Sequence, residues 1–242
     1  MVMDYEECYN IQKSNEVNFL PTNYLSRQPQ VTAEARCRLV SWLIPVHRYF
    51  RLSFETCCLT VNIMDRFLST TPVASDCFQL LGVTCLLIAS KLVEVSSPQI
   101  KQLLALCCNA FTKNQMCNLE CIILIRLNFR LSAPTLDFFL DHCINRRLAG
   151  SCKAEADPAG SKILAQTICE LSLADYTFIK YPPSLLAQCA VSLAESLLDM
   201  EPTGDVQSGE NSVDPALSKE CADNLRLLVS LNQEVLQSTA QL

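Results

Sequence analysis

The chain reads as all-α, and three observations carry that reading. Apolar residues recur at three- and four-residue intervals along most of its length, the period of a helix with one buried face. Capping residues and prolines punctuate those runs. Only five glycines occur in 242 residues, while Leu, Ala, Cys and Ser abound. Half the residues are hydrophobic and 18% are charged, so the chain can build real cores. Its length allows one large domain or two of about 100 residues each.

Taken in order, Tyr5–Phe19 reads as a polar helix ahead of the first core. Thr32 can cap a helix running to about Tyr49 that buries Leu39, Trp42, Leu43 and Val46. Ser53 can cap a second to about Leu68, before Thr71-Pro72. The third spans about Ser75–Glu94, and its segment Cys77–Ser90 runs fourteen residues without a charge. Ser97-Pro98 opens a short fourth, with Pro at the first helical position. Thr112 and Gln115 form a capping box for the fifth, which ends near Leu127. After Ala133-Pro134 a second set follows: Thr135–Arg147, Lys162–Leu173, Ser184–Leu198 and Pro215–Glu234. Gly150–Gly160 reads as a loop, and Asp199–Asp214, with five acids and no base, as a mobile loop dispensable for the fold.

An offset of 105 residues lays Leu81, Gly82, Cys85, Leu86 and Ala89 over Leu186, Ala187, Ala190, Val191 and Ala194. Small residues at matching helical positions suggest a closely approached central helix in each half, hence a duplicated helical domain.

Net charge is −6 with a pI near 5.0, which disfavours a nucleic-acid surface; Arg146–Arg147 is the only adjacent basic pair. Met1–Asn10 holds three acids and no base, unlike a signal peptide, and uncharged runs of fourteen residues fall short of a membrane span. The expectation is a soluble intracellular protein with no membrane partner. Its fifteen cysteines, an odd number, are then buried reduced thiols, at apolar positions such as Cys58, Cys85, Cys121 and Cys189. His47 and His142 lack a nucleophile–base–orienter pattern. Cys117 and Cys121 lack a second ligand pair at zinc spacing, and no phosphate-binding glycine loop is present. Neither catalysis, a metal nor a cofactor is expected.

Four charges fall on apolar stripes. Arg36 shares a face with Val40 and Leu43, and Asp65 with Cys58, Val61 and Leu68; a buried pair locking the first helix to the second explains both. Lys91 continues the stripe Leu80, Thr84, Leu87, and Glu120 interrupts the stripe Met116, Leu124, Leu127. These two either pair with each other, reach solvent from a helix edge, or offer a donor and an acceptor to another molecule. Ile88 and Leu92 flank Lys91, and Leu124, Phe129 and Leu131 lie beyond Glu120, an apolar surround of the kind found at interface cores.

Asn62-Ile63-Met64-Asp65-Arg66-Phe67-Leu68, Leu86-Leu87-Ile88-Ala89-Ser90-Lys91, then Glu94, Glu120 and Ala133-Pro134-Thr135 resemble the cyclin box. Arg36-Cys37-Arg38-Leu39-Val40-Ser41-Trp42-Leu43 looks like its first helix. The likeness covers about Pro29 to Thr135, and more weakly a second box through Glu170–Leu173 and Tyr181–Ser184. It implies two tandem five-helix cyclin boxes, at 29–132 and 133–242, preceded by an N-terminal helical segment at 1–28.

The resemblance further implies a regulatory subunit, not itself an enzyme, that binds and activates a cyclin-dependent protein kinase in cell-cycle control. A narrower implication is a role in multiciliated-cell differentiation, with the protein in nucleus and cytoplasm. In the family, the lysine and glutamate matching Lys91 and Glu120 hydrogen-bond kinase backbone near its mobile regulatory helix. Positions matching Ile88, Leu92, Leu124 and Phe129 pack on that helix. Docking moves it inward and frees the activation loop. Leu39, Trp42 and Gln79 match a first-helix groove for kinase substrates or inhibitors, but Ala35, Arg38 and Pro45 depart from it. Leu92 stands where many cyclins carry an aromatic, which shrinks the contact. The competing readings are a cyclin-fold scaffold, or a transcription-type interaction module, that activates no kinase.

Overall fold

The computed structural model describes residues 5–150, 158–198, 214–234 and 236, and among these every regular element is helical. Ten α-helices occur: α1 Tyr5–Glu16, α2 Ala33–Tyr49, α3 Phe54–Leu68, α4 Phe78–Val93, α5 Ile100–Leu106, α6 Lys113–Arg126, α7 Leu136–Gly150, α8 Pro158–Ala174, α9 Pro183–Leu197 and α10 Pro215–Leu231. The chain divides into two compact units. One comprises Asn15–Thr135 with Leu173–Lys180; the other comprises Met1–Ser14, Leu136–Ser172 and Tyr181–Leu242.

The caps read from the sequence are where the helices begin. Thr32 Oγ1 accepts from Ala35 N at 3.1 Å and Ser53 Oγ from Thr56 N at 3.3 Å. Thr112 and Gln115 exchange bonds at 3.2 and 2.7 Å, a reciprocal box that satisfies two otherwise orphaned amides. Two starts differ from expectation. The short fourth helix opens at Ile100, where the Gln102 side chain accepts from Gln99 N at 2.9 Å. Pro98 is buried just ahead of it as a packing residue. Pro158–Gly160 is helix rather than loop, because Pro at a first helical position loses no bond and presets φ. The acidic stretch lies outside the described residues except for Asp214, which caps α10 by accepting from Ala216 N at 2.9 Å.

In the first unit α4 is the central helix, packed by α2, α3 and α6. Every residue from Leu80 to Ser90 is buried. The stretch Ser75–Val93 would cross a membrane by length and composition, but two-thirds of that apolar window is inside the protein, as a core helix requires. The polar residues on it are satisfied locally: Thr84 Oγ1 donates to Leu80 O at 2.7 Å and Ser90 Oγ to Leu87 O at 2.9 Å. Gly82 lets α2 approach, since a Cβ there would stand 2.9 Å from Leu39 Cδ1.

The corresponding helix of the second unit is α9, packed by α7 and α10, with Leu186, Ala187, Ala190, Val191 and Ala194 all buried. The residues matched at an offset of 105 thus occupy equivalent core positions in their units. Here the first turns of α1 lie on α7: Tyr9 stacks on His142 at 4.0 Å between centroids and Tyr5 at 5.1 Å. The fourteen described cysteines are thiols rather than disulfide sulfurs. Cys58 and Cys85 are buried as expected of small hydrophobes, but Cys189 is half-buried and Cys121 is exposed, on the outer side of α6.

Both histidines are buried, His47 with its Nδ1 unpartnered. Burial, aided by neighbouring arginines, lowers the pKa of each below 6.5. The unfolded chain then binds protons more readily than the folded one, so the stability held above pH 6.5 is lost as the pH falls toward the folded-state values. Melting temperature should drop on acidification through this range, and His142→Phe, which keeps a ring in the stack, should flatten the drop. An unchanged slope would refute this role for His142.

Candidate functional site

Two charged constellations of the first unit come from the apolar stripes, and they differ in exposure. Arg36 on α2 and Asp65 on α3 meet as a forked pair: Nε to Oδ1 at 2.8 Å and Nη2 to Oδ2 at 2.7 Å, with Arg36 1% exposed. Tyr24, fully buried, donates its hydroxyl to Asp65 Oδ1 at 2.7 Å. Arg36 Nη1 also donates to the carbonyls of Leu173 and Ala174 at 3.0 and 3.2 Å, and its guanidinium faces the Tyr176 ring. Tyr176 Oη accepts from Tyr24 N at 2.9 Å. This hub ties Leu173–Lys180 to the helices of the first unit. Burial alone would weaken the Arg36 charge, but the Asp65 carboxylate more than offsets it, and Arg36 holds its proton above the ordinary arginine range. Burial and Asp65 push the Tyr24 phenol up as well.

Glu94, just past α4, accepts at Oε1 from Ser53 N and Ser53 Oγ, both at 2.8 Å, and from Thr56 Oγ1. A carboxylate here receives the free donors of the α3 N-terminus and completes its cap. Burial would raise the Glu94 pKa, yet the bonds from Thr56 and Ser53 hold it below the usual value. Neither Glu94 nor Tyr24 was recognisable as part of a cap or hub. A partner from a different element leaves no periodic trace beside it.

The second constellation lies at the surface. Lys91, in the last turn of α4, pairs with Glu120 on α6, Nζ to Oε1 at 2.6 Å, with the side chains 46% and 16% exposed. Leu92 is 48% exposed, Leu124 half-buried and Phe129 68% exposed. Ile88 differs from expectation: it is 2% exposed and belongs to the core beneath this face. The sequence CIILIR holds four successive apolar residues, and a 3.6-residue period cannot bury them all. Ile122 and Ile125 accordingly stay exposed, and with Arg126 and Asn128 they line an open cavity of about 580 Å³. Periodicity centred on Met116 and Leu127 passed over both isoleucines.

Phe129 owes its position to the backbone. Asn128 and Phe129 have φ of 50° and 55°, the left-handed region, as α6 terminates through Phe129 N to Leu124 O at 2.9 Å and Arg130 N to Leu127 O at 2.9 Å. An aromatic residue in that region carries a strain of about 1–2 kcal/mol. The turn keeps the ring out of the core.

The groove residues are divided. Leu39 is buried against Gly82, whereas Trp42 and Gln79 are half-buried on α2 and α4. Leu39 is largely a packing residue in this fold, and of the three Trp42 and Gln79 are the more accessible. Arg38 and Glu34 form an exposed pair on the same helix.

Comparison with known proteins agrees with this architecture. The family model "Cyclin, N-terminal domain" matches residues 7–132, and "Cyclin, C-terminal domain" matches 134–240. Human Cyclin-O is 54% identical over 230 residues, covering 95% of this chain and 65% of the human protein, so the chain spans less than two thirds of that relative. Among solved structures, a viral cyclin from herpesvirus saimiri superposes with a TM-score of 0.77 at 22% identity, covering 91% of this chain and 96% of the other. A chain of the yeast RNA Pol II CTD kinase CTDK-1 complex gives a TM-score of 0.64 at 15% identity, covering 97% and 74%.

Proposed function

The chain belongs to the cyclin family, and from that premise we propose that it binds and activates a cyclin-dependent protein kinase through the face centred on Lys91 and Glu120. The observation that carries the reading is a surface ion pair, Lys91 half-exposed and Glu120 partly so, on a unit that also leaves Leu92 and Phe129 exposed. The pair would exchange its internal bond for bonds to kinase backbone, and the apolar residues would receive the kinase's regulatory helix. Moved inward, that helix brings its glutamate to the ATP-binding lysine. Leu92 gives a smaller contact than an aromatic and would narrow the range of kinases accepted. Likeness to Cyclin-O extends the proposal to cell-cycle machinery redeployed in multiciliated cells, acting in nucleus and cytoplasm.

The test combines the purified chain with a panel of purified cyclin-dependent kinases and measures both complex formation and peptide phosphorylation. Activation of at least one kinase is expected. Binding without activation would favour the scaffold reading, and neither would overturn the proposal. Phe129→Asn sharpens the assignment, because Asn tolerates a positive φ. Melting temperature should hold or rise while complex formation weakens; intact binding by the variant would remove Phe129 from the face.

A further inference from the structure

Two guanidinium groups share one aromatic ring in the first unit. Arg66, in the last turn of α3, holds its Cζ 4.7 Å from the Phe19 ring centroid, and Arg130, beyond the α6 turn, holds its own at 5.3 Å. Arg66 Nη2 donates to the Arg130 carbonyl at 2.7 Å, and Nη1 reaches Asn62 Oδ1 at 3.5 Å. Asn62 is itself anchored by donating to the Phe19 carbonyl at 2.9 Å. Among the described residues, neither guanidinium meets a carboxylate. Burial, and then the neighbouring Arg130 charge, lower the Arg66 pKa to about 10, so at neutral pH both groups are cationic and repel. Stacking on Phe19 accounts for where each group sits. It does not supply a counter-charge.

We propose that the Arg66–Arg130 pair binds a phosphate monoester carried by a phosphorylated segment of a partner protein. A dianion matches two adjacent cations, and guanidinium forks suit phosphate oxygens in both geometry and charge. Arg66 is held in place before the ligand arrives. Arg130 is exposed, and its guanidinium hydrogens are uncommitted among the described residues. Apolar surface adjoins Arg130 and the shared ring in sequence: Phe129, 68% exposed, precedes Arg130, and Val17, 66% exposed, lies two residues before Phe19. Such flanks suit the side chains of a peptide. The net charge of −6 opposes adsorption to an anionic lipid surface. Phe129 is shared with the proposed kinase face, but the test uses no kinase, so the two readings fail separately.

The experiment measures melting temperature of the full chain in sodium phosphate and in sodium chloride at matched ionic strength. It also measures binding of a degenerate phosphothreonine peptide library, of its unphosphorylated counterpart, and of vesicles containing phosphoinositides. Phosphate should raise the parent's melting temperature above its value in chloride, and the phosphorylated library should bind about tenfold tighter than the unphosphorylated one. Arg130→Glu should melt higher than the parent in chloride, because it gives Arg66 a carboxylate, and should lose the phosphate response. Arg130→Ala should lose that response without the added stability. An equal phosphate response in parent and variants, equal binding of the two libraries, or binding of vesicles without binding of phosphopeptide would each overturn the proposal.

Discussion

Asp65→Ala is expected to lower the stability of the first unit by about 3–5 kcal/mol. Asp65 accepts three hydrogen bonds, two from Arg36 and one from Tyr24. Removing the carboxylate leaves a guanidinium 1% exposed with carbonyl partners but no counter-charge. Arg36 cannot escape by losing its proton, since an arginine remains charged at any ordinary pH. Tyr24 loses its acceptor at the same time, in a fully buried position. The pair need not add much net stability, because two well-packed apolar residues could replace it with little loss. The double substitution Arg36→Met with Asp65→Leu should therefore recover part of what the single one removes. Denaturant melts of the two variants decide this. An Asp65→Ala midpoint matching the parent would show that the hub does not constrain the fold.

That hub also shows how far the sequence could be read. Arg36 and Asp65 were visible because each breaks an apolar helical stripe, and two breaches of opposite sign on consecutive helices suggest each other. Tyr24 and Tyr176 were not, because an aromatic residue outside the long amphipathic helices breaks no pattern. The same division holds at the helix ends. Thr32, Ser53 and Thr112 act on amides three residues away, a distance that a sequence displays. Glu94 acts on Ser53 across 41 positions, which only the packing of α4 against α3 brings together. Ile88 failed for a related reason. Ile88 and Leu92 stand four residues apart, about 40° on the helix and so on one side of it, yet Ile88 sits a turn deeper, where packing buries every residue, while Leu92 stands at the exposed end of α4.

Lys91→Ala and Glu120→Ala should each weaken kinase binding by about 2–5 kcal/mol while leaving folding nearly untouched. The two effects differ because the environment changes. In the free protein the ion pair has a lysine 46% exposed, and surface pairs of this kind contribute about 0–1 kcal/mol. In the complex the same groups would lie in a partly desolvated interface, and truncating one strands its kinase partner without a hydrogen bond. A binding loss of that size corresponds to about 30-fold to several thousand-fold in dissociation constant. A purely internal role predicts the opposite ordering, with earlier melting and binding kept. The swap Lys91→Glu with Glu120→Lys separates the two roles further. It restores an internal pair of reversed polarity, so a structural function would be rescued, whereas a kinase backbone presented with donor and acceptor exchanged would still be rejected. Melting temperature and affinity for the activated kinase, measured on all three variants, therefore answer one question from both sides. Early melting with intact affinity would remove Lys91 and Glu120 from the interface and leave them as a clasp between α4 and α6.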